Sequence, residues 1–254
     1  MALTSRALTL SLTLTLMGCA ARQPAGGAPT PCEAGALARP SDTVEARCLT
    51  RGTWVFTALA PDDFALPRYP ANGLVYESPR GAVMVDAGWR PSDALAIARW
   101  SAARGWPVTR AVVTHFHSDR VGGAAALRAL DIAVFASPDT LARLGALPPS
   151  ARPNVTLTPD ALAPLTWFAP GPGHSPDNLV VMTPDGALFG GCFIKERDAT
   201  SLGNLADADL TRWPESLARL RARYPHPRWV IPGHGPVGDA ALIAHTLDLV
   251  NAAP

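Results

Sequence analysis

Residues 111–123 read "AVVTHFHSDRVGG". Val112, Val113 and Thr114 form a β-branched run of the kind found in a buried strand. The run stops at His115, His117 and Asp119, and the pattern "VGGAAALRAL" then begins a helix. A strand, a chemically dense loop and a helix make the repeating unit of an α/β protein, whose strand-end loops carry the site. Side chains at i and i+2 of an extended segment point the same way. His115 and His117 therefore address one point from a strand end, and Asp119 reaches a neighbouring point from the following turn. Imidazoles and a carboxylate in that arrangement suit zinc.

The same grammar extends on both sides. "TWVFTAL" (53–59) reads as a strand, and "GLVYESPRGAVMVDAG" (73–88) as a hairpin turning on Ser-Pro-Arg-Gly. "PSDALAIARWSAARG" (91–105) opens with Pro and closes with Gly, as a helix does. "NLVVMTPDGALFGGC" (178–192) is a second hairpin, and "RWVIPGHG" (228–235) parallels "RAVVTHFH" (110–117). Aligning Pro79 with Pro184 places Gly81 against Gly186 and Met84 against Phe189. This order predicts two related halves, each a sheet with helices on one face. Packed sheet to sheet, they make a four-layer αββα sandwich, with the site where strand-end loops gather.

The formal net charge is +1 in 254 residues, so no strong field points to nucleic acid or to a membrane surface. The composition is 48% hydrophobic, enough for a sizeable core. One lysine, Lys195, stands among 22 basic side chains. No heptad seam or exposed strand suggests assembly, and a monomer is expected.

The first residues, "MALTSRALTLSLTLTLMGCAAR", carry an apolar run too short to span a bilayer. They fit an exported signal segment at 1–19. "LMGC" resembles a lipobox with Cys19 as the acylated residue, and cleavage after Ala20 is the competing reading. Lipidation would tether the protein to the membrane in the periplasm; otherwise it is soluble there. Residues 20–51, rich in Pro, Gly and Ala, read as a tether or arm, and 52–254 as the folded domain. In an oxidising compartment Cys32 and Cys48 can pair, which leaves Cys192 alone. Metal ligation and simple burial are its two readings.

Three further candidates sit at strand ends or loops: His174 in "PGPGHSPDN", Cys192 in "FGGCFIK" and His234 in "IPGHGP". With His115, His117 and Asp119 they give three histidines for one metal and an Asp/Cys/His set for a second. His226 and His245 are read as ordinary surface or core residues.

Taken in order, these motifs resemble the metallo-β-lactamase superfamily, and within it subclass B1. "HFHSDR" is similar to the His-x-His-x-Asp motif of that subclass. "GPGHSPDNLVV", "GGCFIK", "SLGNLADADL" and "VIPGHG" are similar to its later motifs, over roughly Trp54 to Val250. The most specific element is Cys192 followed three residues later by Lys195. The resemblance implies the αββα fold and two zinc ions, one on His115, His117 and His174, the other on Asp119, Cys192 and His234. It implies hydrolysis of the β-lactam amide (penicillins, cephalosporins and carbapenems), with Asn204 as the oxyanion donor and Lys195 on the substrate carboxylate. Asp119 is expected to anchor the second metal and take part in catalysis. Phe64 and Trp89 are expected as apolar groove walls, and Arg120 and Asp86 as residues that orient the ligands. No role is assigned to Arg197. Two other readings stay open. One is a hydrolase of the same fold acting on a lactone or thioester, against which Cys192, Lys195 and Arg120 argue. The other is a non-catalytic periplasmic zinc-binding protein.

Overall fold

Alternation of side chains along each strand is what builds the layers. In the computed structural model, which describes residues 29–253, two sheets stack face to face with helices outside both. The signal segment and Cys19 lie outside the described residues. The first sheet has eight strands in chain order: β1 (Leu37–Ser41), β2 (Val44–Thr50), β3 (Thr53–Leu59), β4 (Pro70–Tyr76), β5 (Ala82–Val85), β6 (Val108–Val112), β7 (Ala133–Ala136) and β8 (Val155–Thr156). The second runs β12-β11-β10-β9, from β9 (Thr166–Phe168), β10 (Val180–Met182), β11 (Ala187–Gly191) and β12 (Trp229–Pro232). Helices α1 (Pro91–Ala103), α2 (Ser118–Val121), α3 (Ala124–Ala129) and α4 (Pro138–Arg143) belong to the first half, and α5 (Trp213–Arg223) and α6 (Ala241–Ala252) to the second.

Three apolar layers separate the four structural ones. Met84 and Ala111 face outward and pack with Ile97 of α1 and Leu127 of α3. Val83, Val85 and Val112 face inward and meet Val181, Phe189 and Ile231 of the second sheet. Leu188 and Val230 face the far side and pack against Leu217 of α5 and Ile243 of α6. Adjacent residues of one strand thus serve different layers, as period-two geometry requires. The expected αββα sandwich is the fold.

The two halves repeat a motif: an antiparallel hairpin followed by a parallel strand, β4-β5-β6 and β10-β11-β12. The alignment drawn from the sequence is one residue out of register. It matches Met84 with Phe189, yet Met84 faces helices and Phe189 faces the other sheet. A one-residue slip exchanges faces throughout a strand. Matched by face and by pairing, Met84 corresponds to Leu188, Val85 to Phe189, Ala111 to Val230 and Val112 to Ile231. Three residues beyond the last pair, His115 then corresponds to His234.

Residues 20–51 are not a tether throughout. From Leu37 the chain forms β1 and β2, which join the first sheet through β3. The signal was present in Val44, Ala46 and Cys48, which alternate and are buried. The surrounding Pro, Gly and Ala masked it. Cys32 and Cys48 form a disulfide. Beside it the buried Glu77 carboxylate accepts bonds from Cys32 N and Trp54 Nε1, both at 2.9 Å, and from Arg104 Nη2 at 3.1 Å. The helix expected from Val121 begins earlier, at Ser118, so Asp119 sits on helix rather than in a turn, and it is divided into α2 and α3 at Gly122 and Gly123. A Cβ at these positions would lie 2.0 Å from Trp89 O and 2.3 Å from Ala87 O, so glycine alone admits the neighbouring backbone.

Candidate metal centre

The ends of β6 and β12, and the loops after β11 and before β10, converge on one groove of about 420 Å³. His115 leaves β6 buried, and His117 follows at the entrance to α2. Nε2 of His115 lies 3.0 Å from Nδ1 of His117, which lies 3.1 Å from Nε2 of His174. Four-coordinate zinc at 2.0–2.1 Å from nitrogen sets its ligands roughly 3.3 Å apart, so the cluster has the dimensions of a tetrahedral face. His117 directs its other nitrogen to Asp207 Oδ2 at 2.9 Å, which fixes the tautomer that leaves Nδ1 unprotonated. Burial holds His115 and His174 well below the ordinary imidazole range, so both are neutral donors of a lone pair.

The second set adjoins the first. Sγ of Cys192 is 3.2 Å from Nε2 of His234 and 3.5 Å from Oδ2 of Asp119, and those two are 3.5 Å apart. The Nδ1 atom of His234 bonds Pro70 O at 2.6 Å, which turns Nε2 toward the site. Burial lowers His234 to about 4. For Asp119 burial works upward, but Arg120 and the surrounding imidazoles outweigh it and bring the carboxyl to about 2. Burial pushes the Cys192 thiol up to about 12, with Arg120 opposing. A cation arriving there displaces the thiol proton, so metal binding and proton release are coupled. Side chains of His115, Asp119 and Cys192 also have donor atoms within 4.8 Å of one another, which places both sets in one cluster. These residues fit a metal ion in each set: three imidazoles in one, and a carboxylate, a buried thiol and an imidazole in the other.

Arg120 holds the cluster from behind. Its buried guanidinium donates to Asn72 O at 2.5 Å, Asp86 Oδ2 at 3.1 Å, Cys192 Sγ at 3.1 Å and Gly233 O at 2.9 Å, and pairs with Asp119 Oδ2 at 2.6 Å. Asp86 in turn accepts from Thr114 N at 2.8 Å and Thr114 Oγ1 at 3.0 Å, next to His115. Burial raises Asp86 to about 6, and these donors limit the rise. The two expected supporting residues therefore join the strand ends of both sheets.

The groove contains the expected substrate residues. Phe64 lies on the buried Trp89, ring centroids 4.6 Å apart, so Phe64 meets the groove and Trp89 supports it. Lys195 and Asn204 line the same groove. Oδ1 of Asn204 accepts from Ala206 N at 3.0 Å, which leaves its amide nitrogen as the donor. Arg197 stands outside, exposed and 3.9 Å from Asp239.

Three residues were missed. Tyr69 packs on His234 at 4.7 Å and shares the groove, although it lies in the same proline-rich loop as Phe64. Asp207 falls inside the quoted "NLADADL" but only its contact with His117 reveals its use. Trp213, fully buried at the start of α5, sits 6.3 Å from His174, and nothing in its local sequence announces that.

The family model described as the metallo-beta-lactamase superfamily matches residues 66–234. The metallo-beta-lactamase type 2 of Bacteroides fragilis is 32% identical, covering 83% of this chain and 87% of that protein. That of Bacillus cereus is 34% identical, over 82% and 83%. Among solved structures, a metallo-beta-lactamase from Erythrobacter litoralis superposes with a TM-score of 0.79 at 34% identity, covering 86% of this chain and all of that one. The FIM-1 enzyme of Pseudomonas aeruginosa, solved in its mono-zinc form, gives 0.77 at 34% identity, covering 84% of this chain and 97% of that one. With its motifs in order, its donors converged and its fold shared, the chain belongs to the metallo-β-lactamase superfamily.

Proposed function

We propose that the protein is a zinc-dependent β-lactamase that takes two zinc ions and adds water across the β-lactam amide. The observation that carries this reading is the adjacency, in one groove, of the His115/His117/His174 and Asp119/Cys192/His234 sets with Lys195. Zinc, when bound, supplies Lewis acidity and brings the pKa of water toward neutrality. The remaining work falls to the chain. Lys195 places a compact cation where the carboxylate beside the lactam ring docks. The Asn204 amide donates to the carbonyl oxygen as charge develops there, a contribution of about 2–4 kcal/mol when well aimed. Phe64, backed by Trp89, and Tyr69 give the ring substituents an apolar wall. Asp119, ionised beside Arg120, holds its position as the C–N bond breaks and the nitrogen gains a proton.

Hydrolysis of a carbapenem and a cephalosporin tests the reading, with added zinc, with a chelator, and in Cys192→Ala. Zinc-dependent turnover that drops in the variant supports it. Bound zinc with no turnover of either drug overturns it.

We also propose that the protein is exported and works as a monomer, tethered through lipidated Cys19. The Cys32–Cys48 disulfide suits an oxidising compartment. Release of Cys19→Ala into the soluble periplasm is the expected result, and unchanged membrane association counts against the anchor.

A further inference from the structure

A lysine ammonium on four rotatable bonds is a poor fixed charge unless something holds it. Here the segment Phe193–Lys195 is gripped from two helices. Trp213 of α5 donates from Nε1 to Phe193 O at 3.2 Å and stacks on the Phe193 ring at 5.9 Å. The same indole lies under the Lys195 ammonium, with Nζ 5.5 Å from its ring centroid. From α6, the buried Thr246 hydroxyl donates to Leu242 O at 2.7 Å, which turns its lone pair toward Lys195 N at 2.8 Å. The neighbouring His245 meets Ala199 O at 2.9 Å through Nε2, so α6 also secures the loop that leads on to Asn204.

We infer that Trp213 and Thr246 are positioning residues: together they clamp Lys195, one at its ammonium and one at its backbone, so that its charge stands ready in the groove. The clamp is read from the contacts alone. Only the identity of the anion it serves, the substrate carboxylate, rests on the β-lactamase reading.

The single lysine makes the test direct. Full-length protein labelled with ¹³C,¹⁵N-lysine, zinc-loaded, shows one lysine amide and one ε-CH₂ signal. The face of an indole ring shields a nearby group, so the ε-CH₂ protons are expected upfield of free lysine. Trp213→Leu is expected to return them there, and Trp213→Phe to do so partly. Thr246→Val is expected to move the amide signal and Thr246→Ser to restore it. Because loss of the buried indole leaves a cavity, the Thr246 pair carries the test independently. In kinetics, Trp213→Leu and Thr246→Val are expected to raise KM for a cephalosporin by roughly tenfold, the loss of one cation–π contact or buried hydrogen bond, with kcat within about twofold. The methyl ester of the same drug is expected to show no such rise, and neither variant to add to the KM of Lys195→Ala. Wild-type ε-CH₂ protons at the free-lysine position overturn the clamp. So do equal losses on drug and ester, which mark a merely structural role. A Trp213-dependent upfield shift in a protein that hydrolyses no β-lactam sustains the clamp and overturns the β-lactamase reading instead.

Discussion

At the end of β5 the chain turns through Asp86, with φ of 64°, and at the end of β11 through Gly191, with φ of 55°. Both turns lead from the strand end toward the groove, yet the residue that does the chemistry differs. In the first corner the left-handed residue itself carries the side chain, and the Asp86 carboxylate reaches back to Thr114 and Arg120. That conformation costs a non-glycine residue roughly 1–2 kcal/mol, which those contacts offset. In the second corner an irregularity between Phe189 and Gly191 adds a residue. Glycine takes the strained position, and the next residue, Cys192, delivers its thiol. One corner thus became a brace and the other a donor. The donors themselves are shared: the first half gives His115, His117 and Asp119, and the second gives His174, Cys192 and His234. Neither half completes either set.

Removing a donor from either half is the largest break in this division. His115→Ala and Cys192→Ala should each lower kcat/KM by more than the ~100-fold that marks the upper end for residues merely supporting a ligand. Native mass spectrometry should find Cys192→Ala short of one zinc. Full activity in either variant means that one half suffices. Next comes Arg120, the brace between the corners. Arg120→Met leaves Asp86 and Asp119 buried without their cation and should destabilise the protein by about 3–5 kcal/mol in urea unfolding. A loss under about 1 kcal/mol means the corners are held by packing alone. Gly191→Ala is a smaller change. It should cost roughly 1–2 kcal/mol from backbone strain, read as a lower Tm, and an unchanged Tm dissolves the likeness of the two turns.

The finest comparison is between two aspartates facing one guanidinium. Burial lifts Asp86 from the ordinary 3.8 to about 6, so the stability it contributes is present below 3.8 and lost as pH rises through about 6. Asp119 is lowered to about 2, so its contribution is present above 3.8 and lost as pH falls through about 2. In chelator-treated protein, Asp86→Asn should flatten the fall in urea midpoint across the upper window. An unaltered slope assigns that titration elsewhere.

Much of this was legible before any coordinates. The hairpins, the strand before His115, the helix from Pro91 and all six donors follow from periodicity and from chemistry placed at strand ends. The Cys32–Cys48 bond was open to a reader of the sequence, and β2 would have been too, had Val44, Ala46 and Cys48 been weighed above the prolines around them. The match of the halves was visible but slipped by one residue. Small apolar residues look alike on either face, and only pairing partners separate Leu188 from Phe189.

Sequence by itself determined most of the strands and helices of 52–254, the alternation of faces along each strand, and the order of the donors along the chain. Those properties depend on neighbours within a few positions, where a period of two or 3.6 is already expressed. The tertiary structure decided which distant groups meet. Besides its neighbour Asp119, Arg120 finds partners 34 to 113 residues away, His117 reaches Asp207, and the one lysine comes to rest over Trp213. Such contacts follow from how the two sheets and the helices outside them close on each other, and a linear pattern carries no measure of that closure.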